Sequence, residues 1–99
     1  VKGVLPFGQL EAELRRLVRK YHARDAYVFG SYARGDAEAD SDLDVLIEGG
    51  SSFAPTDIFA IAEELHLAFG KRVDVYELEK LDRGTAFYRE VMKDRVLVA

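Results

Sequence analysis

Leu10, Leu14, Leu17, Val18 and Tyr21 recur at i, i+4, i+7, i+8 and i+11. That is the spacing of one apolar stripe on an α-helix, and it predicts an amphipathic helix over residues 9–22. The opposite face carries Arg15, Arg16, Arg19 and Lys20. Cations near a helix C-terminus are favoured by its dipole, so a solvated face is a simpler reading than a phosphate or acidic-partner site. The period then shortens. Residues 26–29 form an apolar run, in which Tyr27, Val28 and Phe29 predict a short strand ending at Gly30. Residues 36–41 are all small or acidic and read as a loop. Beyond it Leu43, Val45 and Ile47 alternate with Asp42, Asp44 and Leu46. A second strand is predicted there, with the first set against helices and the two carboxylates on the other face. Gly49-Gly50-Ser51-Ser52 breaks the pattern.

Thr56 is a suitable N-cap with Asp57 in the first turn, and Ile58, Ile61, Ala62, Leu65 and Phe69 mark the inward stripe of another long helix, ended by Gly70. Residues 72–78 alternate again and predict a third strand, with Val73 and Val75 inward and Asp74 and Tyr76 on the carboxylate face. A helix between the second and third strands lets them run parallel by a right-handed crossover, bringing Asp74 beside Asp42 and Asp44. A weaker helix over 85–93 packs Ala86, Phe87, Val91 and Met92, and Val96-Leu97-Val98 closes the chain as a short edge strand or a docked tail.

Ninety-nine residues suit one domain, 1–99, able to bury roughly 60–70% of its unfolded surface. There is no cysteine, so any metal must be held by oxygen or by His22 and His66. Neither histidine has a carboxylate or histidine partner at ligand spacing, and both read as helix-surface or helix-end residues. Apolar runs reach about five residues against the roughly 20 that span a bilayer, and no basic-then-apolar leader opens the chain, so a soluble cytoplasmic protein is expected. The net charge of −4 is unevenly spread: residues 1–35 carry seven Lys/Arg against three Asp/Glu, 36–64 none against nine, and 65–99 seven against six. An acidic chain is a poor match for duplex nucleic acid as main partner. A negative middle that needs cations fits better.

The candidate chemistry lies between Gly30 and Glu48. A glycine after a strand lets the backbone approach a ligand or take a positive φ, and a hydroxyl beside it suits phosphate oxygens. Asp42 and Asp44, two apart on a strand, share a face. At about 4 Å their charges repel by roughly 4 kcal/mol at an effective dielectric of 20, which favours a bound divalent ion. Rival motifs fail in detail. Gly30 to Gly35 has the outline of a P-loop, but Asp36 and Ala37 stand where Lys and Ser/Thr are required. An EF-hand loop starting at Asp40 would have Val45 in place of its glycine and Ser51 in place of its glutamate. Asp36 and Asp40 are natural turn formers, but that account does not explain two aspartates entering an apolar strand. Asp74 taken alone is the solvent face of a strand as readily as a ligand.

Gly30-Ser31-Tyr32-Ala33-Arg34-Gly35, followed after a short loop by Ser41-Asp42-Leu43-Asp44 and later by Arg72-Val73-Asp74-Val75-Tyr76, resembles the signature of the DNA polymerase beta-like nucleotidyltransferase superfamily, and within it the minimal nucleotidyltransferases. The likeness runs from about Leu10 to Tyr76. It implies an α+β fold, the polymerase beta-like nucleotidyltransferase fold, with a three-stranded mixed sheet and helices packed on one face; the first two strands are antiparallel and the third is parallel to the second. It implies Asp42, Asp44 and Asp74 as metal-binding and catalytic carboxylates for two Mg2+ ions, Gly30 and Ser31 as triphosphate holders, and Arg34 as a helper. ATP would be the donor of an AMP group. The acceptor would be a hydroxyl, a tyrosine of a HEPN-domain toxin, which makes the protein an antitoxin. The competing reading is a non-catalytic antitoxin that neutralises its partner by covering it. A third, transfer to an RNA end or a small molecule, lacks the extra substrate domain it would need.

Overall fold

The computed structural model describes residues 3–99. In chain order the elements are α1 (Phe7–Tyr21), β1 (Asp25–Phe29), α2 (Gly30–Arg34), β2 (Leu43–Glu48), α3 (Asp57–Phe69), β3 (Val73–Glu77), a 3-10 turn (Leu78–Lys80), α4 (Ala86–Asp94) and β4 (Val96–Leu97). The first helix begins two residues earlier than its stripe predicts, because Pro6 opens it. Proline loses nothing at a helix start, and its carbonyl accepts the N–H groups of Gln9 and Leu10 at 3.0 and 3.3 Å. His22 closes α1 in the left-handed conformation, φ 60°.

The strands lie in the order β3-β2-β1-β4. β1 is antiparallel to β2, and β3 is parallel to β2 across the α3 crossover, as the sequence implies. The mixed sheet has four strands rather than three. Val96 and Leu97 form the edge strand antiparallel to β1, and Ala26 exchanges further backbone bonds with Val98 and Ala99. On one face Ala26, Val28, Leu43, Val45 and Ile47 meet Leu10, Leu14 and Leu17 of α1 and Ile61, Leu65 and Phe69 of α3. Each such aliphatic side chain contributes about 1.5–3 kcal/mol by leaving water.

The two covering helices are also tied at their rims. Glu64 of α3 accepts from Lys20 at 2.8 Å and Arg16 at 2.7 Å on α1, and from the Tyr21 hydroxyl. Those donors, Lys20 foremost, hold its carboxyl down at about 2. Arg15 pairs with Glu11 at 3.3 Å. Part of the basic face of α1 is therefore engaged by the protein's own acids.

The expectation of helices on one face needs correcting for α4. Its Val91 packs with Phe29 and Leu46, bordered by Tyr27, Leu78 and Leu81, on the side of the sheet that carries the aspartates. Leu46, which alternates with Asp42 and Asp44, is fully buried there because α4 covers it. The Thr85 hydroxyl caps this helix, accepting from the Tyr88 N–H at 3.1 Å. Among the described residues no helix is long and apolar enough to cross a membrane.

Candidate active site

β1 ends at Phe29, whose strand partner is Asp44, and the chain turns at once into α2. Residues 30–34 are a helical turn where the sequence suggests only a turn and loop. Gly30 is required twice over. Its φ is +69°, and a Cβ there would collide with Oδ2 of Asp44 and stand 3.3 Å from its Cγ. Tyr32 anchors the turn, packing against the core while its hydroxyl accepts the Leu5 N–H at 3.3 Å. The acidic loop is pinned as well. Ser41 Oγ accepts the Glu38 N–H at 2.8 Å, and Lys71 Nζ donates to the Ala39 carbonyl at 2.7 Å. This delivers Asp42 one residue before β2 begins, in the loop rather than in the strand.

Asp44 and Asp74 are register partners on the parallel strands β2 and β3, on the face away from the main core. The Asp44 carboxyl is pushed up from 3.8 to about 6, first by burial, then by the charges of Asp74 and Asp42, with Arg34 pulling the other way. The three sequence-predicted acids are thus close enough to act on one another. Sequence reasoning missed Arg72 as a member of the group. Its Nε lies 3.8 Å from an oxygen of Asp42 and 3.8 Å from an oxygen of Asp74. The available signal was its position two residues before Asp74, which puts both side chains on one face. Arg34 is held at 3.0 Å by Asp94 of α4 and at 3.3 Å by Asp36, so its guanidinium is engaged by protein acids while its charge still reaches Asp44. Ser31 sits at the second position of α2, partly exposed, next to Gly30. His22 and His66 take helix-end roles, the latter with Nδ1 2.7 Å from the Lys71 carbonyl.

Among the described residues no three Asp, Glu, His or Cys side chains already form a cage around a metal position. The donor set nevertheless fits a hard cation: three carboxylates, one of them raised by burial and by the charges of the other two, with an exposed guanidinium lying between the remaining pair.

Residues 9–98 match the family model described as a nucleotidyltransferase domain. Among known proteins the chain is similar to the protein adenylyltransferase MntA of Thermococcus cleftensis, 33% identical over 89 residues that cover 90% of this chain and 88% of that one. Among solved structures it is similar to a toxin–antitoxin crystal structure with AMP-PNP, at a TM-score of 0.75 and 21% identity over 90% of this chain and 72% of the other. It is also similar to the structure of a tri-AMPylated Shewanella oneidensis HEPN toxin in complex with MNT antitoxin, at 0.71 and 18% over 95% and 72%. At these identities the structural likeness is one of fold.

Proposed function

We propose that this chain, which belongs to the nucleotidyltransferase domain family, transfers AMP from ATP to a tyrosine hydroxyl of a HEPN-domain partner and so serves as the antitoxin of the pair. The observation that carries the reading is the pairing of Asp44 with Asp74 in register, with Asp42 beside them and Gly30 packed against Asp44. The name of the Thermococcus relative and the two toxin–antitoxin structures support the donor and the kind of acceptor.

Gly30 and Ser31 hold the triphosphate, the glycine by leaving the backbone open and the serine by its hydroxyl. Asp42, Asp44 and Asp74 would hold magnesium, one ion or two, which when bound supplies Lewis-acid neutralisation of the phosphate charge. The acceptor oxygen forms a bond to the α-phosphorus as the bond to the bridging oxygen of pyrophosphate breaks, and pyrophosphate leaves with the electron pair. Asp74 takes the hydroxyl proton. Bound cations would offset the burial and the neighbouring charges that raise the Asp44 carboxyl, and so would favour its ionised form.

The test is the mass of the partner. Incubation with ATP and magnesium should add one or more AMP units, and Asp42→Asn combined with Asp44→Asn should abolish the gain while leaving the fold intact. If the wild type silences the partner without changing its mass, and the double variant silences it equally well, the non-catalytic cover is the correct reading.

A further inference from the structure

The carboxylate face carries an aromatic cluster that the acid chemistry does not use. Phe29, Tyr76 and Phe87 lie with ring centroids 5.8, 6.0 and 5.2 Å apart, tilted or edge-on to one another. Phe29 is buried, but Tyr76 and Phe87 are 36% and 43% exposed. Single exposed rings are ordinary; two in contact at the rim of a candidate site are not. Of the other strongly exposed rings, Phe7 stands on α1, which covers the opposite face, and Phe59 of α3 shares with Tyr76 the lining of a separate hollow at the β3 edge.

The cluster borders the acids directly. Phe29 is the strand partner of Asp44 and precedes Gly30. Tyr76 lies two residues after Asp74 in β3, hence on the same face and about 6.6 Å further along the strand. On the other side, Phe87, Phe29 and Val91 share with Gly30 the lining of a hollow of about 280 Å³ between α2 and α4.

We propose that Tyr76 and Phe87 form the platform on which the base of the donor nucleotide stacks. This rests on the nucleotidyltransferase reading above: with the α-phosphate at the acids and the triphosphate at Gly30, the base hangs one sugar away, and Tyr76, with Phe87 against it, lies two residues along β3 from Asp74. Aromatic faces hold any base by stacking, without reading its edge. The platform therefore supplies affinity and orientation for the donor and little base selectivity.

The test is calorimetric titration of the full chain with AMP-PNP and magnesium, set against inorganic tripolyphosphate, which has no base. Phe87→Ala and Tyr76→Ala are each expected to weaken AMP-PNP roughly five- to a hundredfold, the range of one base–aromatic stack, and to leave tripolyphosphate unchanged. Phe87→Leu keeps the apolar cover without the π-face and should lose most of the same affinity, which separates stacking from folding. Unchanged AMP-PNP affinity in both alanine variants overturns the proposal. Should those variants bind AMP-PNP normally yet modify the partner poorly, the rings serve the acceptor instead. Absence of AMP-PNP binding by the wild type would reject the nucleotidyltransferase reading itself, and the platform with it.

Discussion

Replacing Asp44 with Asn is expected to make the metal-free protein more stable, although it removes a residue assigned to catalysis. The Asp44 carboxyl is raised from 3.8 to about 6 by burial and by its two acidic neighbours. A folded-state value above the unfolded one means that the native state binds the proton more tightly. Stability from this group is therefore fully present below pH 3.8, is lost as the pH rises through the interval up to about 6, and stays lost above it. At 1.36 kcal/mol per pH unit, the penalty carried by the ionised group at pH 7.5 is about 2–3 kcal/mol. Asn keeps the shape and removes the charge. Urea unfolding of both proteins in EDTA should show Asp44→Asn ahead by about 2 kcal/mol at pH 7.5, with the gap closing toward zero at pH 4. Millimolar magnesium should narrow the gap from the other side by stabilising the wild type alone. A variant less stable at pH 7.5, or a gap of equal size at both pH values, would refute the electrostatic account of the site.

Two further substitutions probe the geometry around that carboxylate. Gly30→Ala meets both a positive φ, which costs about 1–2 kcal/mol for a residue with a Cβ, and the collision with Asp44; AMP transfer should fall more than about tenfold while unfolding shifts by no more than about that cost, and transfer within twofold of wild type would show that Asp44 is not fixed by this contact. Arg72→Gln removes the guanidinium between Asp42 and Asp74; an exposed pair of this kind is worth about 0–1 kcal/mol, so stability should barely change, but the magnesium concentration at half-maximal thermal stabilisation, without nucleotide, should fall several-fold. An unchanged midpoint would mean that Arg72 does not compete with the cation.

The three longer strands were legible because one face of each packs on the core, fully buried in β1 and β2 and partly buried in β3. Leu43, Val45 and Ile47 alternate strictly, and so do Val73 and Val75, since α1 and α3 cover that side along its length. The same periodicity placed Asp44 and Asp74 together, and the crossover helix made them neighbours. Periodicity reports which face a residue takes; it does not report what later covers that face. Leu46 shares its face with the aspartates, yet it is sealed by Val91 of α4, a contact between residues 45 positions apart that no local pattern encodes. Arg34 is likewise engaged by Asp94, sixty positions away. α2 has five residues, too few to show a helical stripe, and Arg72 at the head of β3 looks like any solvated strand-end charge.

The packing of α4 on the carboxylate face also bears on the chemistry proposed for the site. Val91 packs on Leu46, two residues beyond Asp44 in β2, and on Phe29, the strand partner of Asp44, while Gly30 lies against the carboxylate itself. Asp44 therefore stays partly buried, two residues upstream of fully buried Leu46. With no such cover the carboxylate would be solvated, its repulsion from Asp74 and Asp42 would be screened, and there would be little stored tendency to take up a cation. With complete cover it would be protonated or destabilising, and no substrate could reach it. Partial burial keeps the charge both costly and accessible, which is the condition that the proposed site needs in order to gain by binding metal and nucleotide.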